Sequence, residues 1–437
     1  MNNNKMYNLC QELFPITRSL TGDGVRQTLS IIKQHLPDLE IHEVPTGTEA
    51  FDWTVPKEWN INDAYILDPD GNKIIDYKES NLHVVGYSIP VSITISLEQL
   101  QEHLYSLPEQ PNAIPYVTSY YKERWGFCLT DEQRQRLKPG DYYVHIDSTL
   151  SDGSLTYGEL ILPGQSEQEI FLSTYICHPS MANNELSGPA VTTFIAKWIK
   201  AMEDRKYTYR IIFIPETIGS IVYLSKNLQT MKNNIIAGFN VTCIGDNGDY
   251  SYLPTRYGHT LSDQVALHVL KHMQPGFKRY SYLDRGSDER QYCSPGVDLP
   301  VATVMRTKYG QYPEYHTSLD DLIFISPEGL AGGYEVLHKC IECLEENTVL
   351  LTNVLCEPQL GKRGLYPTLS MKKGAGAAKE MINILAYCDG SNSLLAVAEL
   401  IDMPMWEIVP VAEKLKEHDL LREDLLDRPN HYIIKKT

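Results

Sequence analysis

From residue 168 onward the chain alternates short, continuous apolar runs with helical patterns. The runs are "EIFLSTYICHP", "YTYRIIFIPET", "IIAGFNVTCIG" and "PVATVMRT". Between and after them lie "SGPAVTTFIAKWIKAME", "GSIVYLSKNLQTMK", "TLSDQVALHVLKHMQ" and "PEGLAGGYEVLHKCIECLEENT". A strand that is apolar at every position has no face to offer water. It must lie in a sheet covered by helices on both sides. This alternation predicts an α/β domain and excludes an all-helical or all-β chain.

The flanks differ. Residues 1–36 read as helical, with Pro15 as a break, and "LEIHEVPTG" as a strand ending at a turn. Residues 51–158 carry short β-runs punctuated by Gly, Asp and Pro, as in "AYILDPDGNKIID". That texture predicts an inserted β-sandwich or jelly-roll domain. The α/β domain is then discontinuous, built from residues 1–50 and 159–355. Residues 360–437 read as three short helices followed by "LLDRPNHYIIKK", a winged-helix domain with that segment as its wing.

Charge and composition narrow the function classes. The net charge is −17, and residues 379–437 hold seven Lys/Arg against eleven Asp/Glu. The recognition-helix candidate "MWEIVPVAEKLKEHDL" carries Glu407, Glu413, Glu417 and Asp419. Such a surface repels phosphates, so no nucleic-acid partner is expected. No apolar run approaches a membrane span, and no membrane partner is expected. Nine cysteines, an odd number, and a start without a secretory pattern point to the cytoplasm.

Three chemical patches follow predicted strands. They are "CHPSMANNELSG" from Cys177, "PETIGS" from Pro215, and "YPEYHTSLDD" from Tyr312. Ligands of open α/β sheets bind at the carboxyl ends of strands, so the three can converge. Singly each has a plain structural reading. A histidine after a strand is more often structural, and Glu185, Glu216 and Asp288 suit helix starts. Their joint order carries the signal.

That order resembles the co-catalytic zinc aminopeptidases of the bacterial leucyl aminopeptidase type. With "GSDERQY", the whole chain is similar to a bacterial family of aminopeptidase-like domain proteins, with an inserted β-domain and a C-terminal winged helix, found in polysaccharide-biosynthesis settings. The resemblance implies a zinc-aminopeptidase-like mixed sheet. It places His178 on the zinc-ligand histidine, Asn184 on the bridging aspartate and Glu216 on the general-base glutamate. Thr217 falls on a glutamate ligand, Asn240 on a third acidic ligand and His316 on the last histidine ligand.

Asn and Thr are poor zinc ligands beside carboxylate and imidazole. A single zinc is therefore expected rather than two, held by His178, Glu185 and His316, with Glu216 as the base. Tyr315 serves either as an oxyanion donor or in packing. Asp288 and Arg285, together with Asn184 and Thr217, are expected either to contact substrate or to support the ligands from behind. The expected activity is zinc-dependent hydrolysis of an amide bond in a peptide or amide-containing small molecule. The alternative is a weak or inactive relative that binds a peptide, a sugar derivative or a protein. Self-association through the winged helix or β-domain is a further expectation.

Overall fold

A computed structural model describes residues 4–120, 122–365 and 372–423, apart from the side chains of 372–375 and 377. The central sheet has eight strands: β1 (Glu40–Pro45), β2 (Ser154–Leu162), β3 (Ser166–Tyr175), β4 (Tyr207–Ile214), β5 (Ile235–Asn240), β6 (Ser251–Leu253), β7 (Lys278–Arg279) and β8 (Val301–Met305). Their order is β1-β2-β4-β3-β5-β8-β6-β7. Strands β4, β3, β5 and β8 run parallel. Strand β2 is antiparallel to both β1 and β4, and β6 is antiparallel to β8. The sheet is therefore mixed, with a parallel centre. The last seven residues of β3 are buried, as a strand covered on both faces requires.

Helix α1 spans Asn4–Leu13, α2 Asp23–His35, α3 Ser187–Ala201 and α4 Ile218–Asn234. Helix α2 packs on β2, and α3 and α4 pack on β3. Gly188 explains why α3 starts where it does. A Cβ there would lie 2.4 Å from the Val241 carbonyl oxygen and 2.5 Å from Thr174 Oγ1. Only glycine lets the helix start abut the chain leaving β5.

The strands of residues 58–151 build a separate antiparallel sheet, ordered Lys73–Asp76, Glu58–Leu67, Asp141–Ser151, Val91–Ser96. A short parallel pair, Leu104–Tyr105 with Phe127–Cys128, packs beside it. Ala64, Ile66, Ile75, Phe127, Val144 and Ile146 form its core. The jelly-roll reading asked for more strands in two facing sheets than this segment supplies. The expected boundary at 158 also moves, because β2 begins at Ser154 and belongs to the central sheet. One loop of this segment reaches the α/β part. Pro115 bridges to Thr317, and Tyr116 N–H donates to the His316 carbonyl at 2.8 Å.

A second compact unit comprises the described residues within 263–277 and 336–423. Its three-stranded sheet places Val349–Thr352 between Asp389–Ser393 and Leu421–Glu423. Helices Lys372–Tyr387, Leu394–Ile401 and Met405–Glu417 complete it. Ser393 caps the second of these by accepting from Ala396 N–H at 3.2 Å. The unit takes in the strand at 349, so the expected start at 360 was too late. The expected wing at 425–436 lies outside the described residues. Among the described residues no helix is long and apolar enough to cross a membrane.

Candidate active site and metal centre

The carboxyl ends of the parallel strands supply the site. Cys177 and His178 follow β3, and Glu216 and Thr217 follow β4. His316 lies on the loop after β8. These five line one cleft of about 210 Å³, with Arg18, Trp59, Tyr116, Tyr120 and Arg290 also on its walls.

His178 is its centre. The Nδ1–H donates to Glu185 Oε2 at 2.8 Å, which leaves Nε2 free to face Glu216 Oε2 at 3.6 Å. The His316 ring lies 5.6 Å from the His178 ring, and Tyr116 stands edge-on to both at 5.2 Å. Burial alone lowers the His178 pKa. Cys177, Tyr116 and the Glu185 hydrogen bond outweigh it and hold the imidazole well above its usual value. His316 has no such partner. Burial and the neighbouring His178 push it down to about 3, so it is a neutral imidazole.

Glu185 is held from two sides. Its Oε1 lies 3.3 Å from Arg18 Nε, and neither side chain is exposed. The local chain explains its direction. Ser180 and Met181 take positive φ values of 52° and 38°, and Ala182–Leu186 winds as a π turn into α3. Asp320 accepts from the backbone N–H groups of Asn183 at 2.6 Å and Asn184 at 3.0 Å and fixes that turn. Burial pushes Asp320 up to about 7.

The remaining expected residues divide. Asn184 is buried below the cleft, donating Nδ2–H to Tyr175 Oη at 2.7 Å, while its Oδ1 lacks a partner. Asp288 accepts from Thr217 N–H at 2.8 Å and Ser220 Oγ at 2.9 Å, closing the start of α4. Burial first, then Glu216, raises Asp288 to about 7. Tyr315 stacks on His316 at 3.9 Å, but the phenols on the cleft wall are Tyr116 and Tyr120. Burial pushes Tyr116 up to about 12, so it stays protonated. Arg285 is a correction. It is exposed, bonded to the Tyr282 carbonyl at 3.2 Å, and the cleft arginine from the same motif is Arg290.

Arg18 and Tyr116, like Trp59 and Tyr120, escaped the sequence reading. Arg18 comes from the N-terminal segment and donates Nε–H to the His178 carbonyl at 2.9 Å. Tyr116 comes from the inserted β segment. A buried arginine in "PITRSL" and a tyrosine in "AIPYVT" leave no local pattern, because Arg18 meets His178 across 160 residues and Tyr116 meets His178 and His316 across 62 and 200.

The donor set was weighed against a metal. Zn–N distances near 2.0–2.1 Å put two imidazole rings on one tetrahedral ion roughly 5 Å apart, close to the His178–His316 spacing. Among the described residues no hydrogen bond engages the His316 ring, and Asn184 Oδ1 is buried without a partner, so both are open to a cation. Cys177, His178 and Glu185 form a second group of clustered donor atoms, but Arg18 and the His178 proton already occupy Glu185.

A family model described as a domain of unknown function, DUF4910, matches residues 7–347, and one described as a winged helix-turn-helix matches 347–423. A Clostridium acetobutylicum protein, named provisionally for polysaccharide biosynthesis with an aminopeptidase-like domain, is 48% identical over 96% of both chains. A crystal structure from Clostridium acetobutylicum, described provisionally as a peptidase, shares 47% identity. It covers 97% of this chain and 96% of its own, with a TM-score of 0.91. BSAP, a zinc aminopeptidase from Bacillus subtilis, matches at a TM-score of 0.56 and 11% identity. That match covers 78% of this chain and 94% of its own, and the likeness is one of fold. With four-fifths of its length in one family model and its C-terminal part in another, the chain belongs to the DUF4910 family and carries a C-terminal winged helix on an aminopeptidase-like α/β fold.

Proposed function

We propose that the cleft hydrolyses an amide bond, with His178 and His316 holding a single zinc and Glu216 acting as the general base. The observation that carries this reading is the position of His178. One carboxylate binds its Nδ1, a second faces its Nε2 at 3.6 Å, and His316 stands across the cleft. A carboxylate on the far nitrogen of a metal-binding histidine fixes its tautomer and raises its basicity. Glu185 takes that role here, in place of the ligand role expected from its position beside Asn184.

A zinc bound there supplies Lewis acidity and lowers the pKa of water. The chain's own residues do the rest. Glu216, whose pKa burial raises, faces His178 Nε2 and is placed to take a proton and return it to the leaving nitrogen. Tyr116 keeps its proton and can donate to the developing oxyanion. Thr217 stands where the resemblance puts a further metal ligand, and Arg290 donates to its hydroxyl. A hydroxyl bonded to a guanidinium at 2.5 Å is a poor home for a second dication, which supports one metal over two.

The test pairs metal analysis of the full chain with turnover of aminoacyl and acyl p-nitroanilides after zinc addition. Glu216→Gln is expected to keep the metal and lose about 10²- to 10⁴-fold in turnover. Wild-type turnover in Glu216→Gln, or turnover independent of zinc, overturns the reading.

A further inference from the structure

Arg290 lines the cleft as a half-buried cation with no acidic side chain within ion-pairing distance among the described residues. Its Nη2–H is anchored to Thr217 Oγ1 at 2.5 Å. Its Nε is buried without a partner, and among the described residues its Nη1 makes no hydrogen bond. The anchor is costly. Thr217 is β-branched and sits at φ 65°, a region such residues avoid. The Asp288 carboxylate, bonded to Thr217 N–H at 2.8 Å, holds that conformation. Backbone strain of this kind persists where the surrounding structure imposes it, commonly at ligand sites. The other cleft arginine differs. Arg18 already faces Glu185 at 3.3 Å, so its charge is matched.

We propose that Arg290, seated on Thr217, recognises a carboxylate on the substrate, so that the cleft selects amides bearing an anionic group near the scissile bond. This rests on the hydrolase reading for the word substrate, but the recognition itself does not require turnover. A planar guanidinium with one edge pinned and its remaining N–H groups unmet matches the two oxygens of a carboxylate. Glu216 is the opposing charge in the cleft, and its closest histidine contact is with His178 Nε2 at 3.6 Å.

The test measures binding to the full chain by calorimetry, using matched probes. N-acetylglutamate is compared with N-acetylglutamine, and glucuronate with glucuronamide. The Glu216→Gln protein is used alongside wild type, so that binding is read without chemistry. The acid of at least one pair is expected to bind about tenfold or more tighter than its amide, the size of a charge-assisted hydrogen bond. Arg290→Gln should abolish that preference, and Arg290→Lys should keep part of it, which separates loss of charge from loss of fold. Equal affinity for acid and amide in both pairs, no binding of either acid, or a preference that survives Arg290→Gln overturns the proposal. Zinc-dependent turnover of neutral amides, unchanged in Arg290→Gln, would sink this inference and leave the hydrolase reading standing.

Discussion

Arg18 and Glu185 meet in an ion pair 3.3 Å long that is wholly excluded from solvent. One partner comes from the segment between α1 and α2 and the other from the π turn before α3. The pair clamps His178 from both ends, because Arg18 also donates to its carbonyl oxygen and Glu185 accepts from its Nδ1. Removing one member of a buried pair strands the other, at a cost of roughly 3–5 kcal/mol. Arg18→Met is expected to lower stability by that order in a denaturant titration. A loss below about 0.5 kcal/mol would mean the pair is not formed in solution.

Glu185→Gln separates the two roles open to this carboxylate. As the partner of Nδ1 it should leave zinc bound and weaken it by about 10- to 100-fold, the usual effect of losing such a group. As a direct ligand its loss should abolish binding. Competition with a chromogenic chelator reads the difference.

Metal content follows from the same residues. Full-length protein loaded with zinc and desalted is expected to retain about one zinc per chain, and His178→Ala to retain none. Two zincs per chain by elemental analysis would show that Asn184, Thr217 and Arg290 do not exclude a second ion.

Glu58 gives a pH prediction away from the site. It accepts from Arg26 Nη1 at 3.1 Å, from Asn60 Nδ2 at 3.0 Å and from Ser154 N–H at 2.9 Å, tying α2 to the first residue of β2. The Arg26 hydrogen bond, more than any other contact, lowers its pKa to about 2. A carboxylate depressed by folding stabilises the protein above its unfolded pKa, near 4.5, and that contribution is lost as pH falls toward 2. Glu58→Gln should therefore cost roughly 1–3 kcal/mol at pH 7, discounted for partial exposure, and the gap to wild type should close on acidification. A gap that widens below pH 4 would contradict the assignment.

The winged helix carries its own prediction. Its last described helix, Met405–Glu417, bears Glu407, Glu413 and Glu417 against Lys414 and Lys416, and Lys416 is engaged with Glu413 and Glu423. Duplex DNA is expected to bind the full chain no tighter than about 10⁻⁴ M at physiological salt, the level of non-specific contact. Sub-micromolar, salt-sensitive binding in an anisotropy titration would overturn this.

The alternation of apolar runs and helices after residue 168 was enough to call for a sheet covered on both faces, because runs such as "IIFI" have no polar face to leave in water. The order of His178, Glu216 and His316 at strand ends was likewise legible, since parallel strands deliver their carboxyl ends to one edge. The contacts that give these residues their roles were not legible. Glu185 is seven residues from His178, and nothing in that spacing says which ring nitrogen it meets. The positive φ at Ser180 and Met181 and the π turn decide it. Arg285 and Arg290 share one motif, and only the turn into the short helix Glu289–Tyr292 puts one in solvent and the other in the cleft. Arg18 and Tyr116 enter from segments far along the chain. Periodicity reports which face of an element is buried, whereas the partner of a buried charge is set by how distant elements pack, and that belongs to the tertiary structure alone.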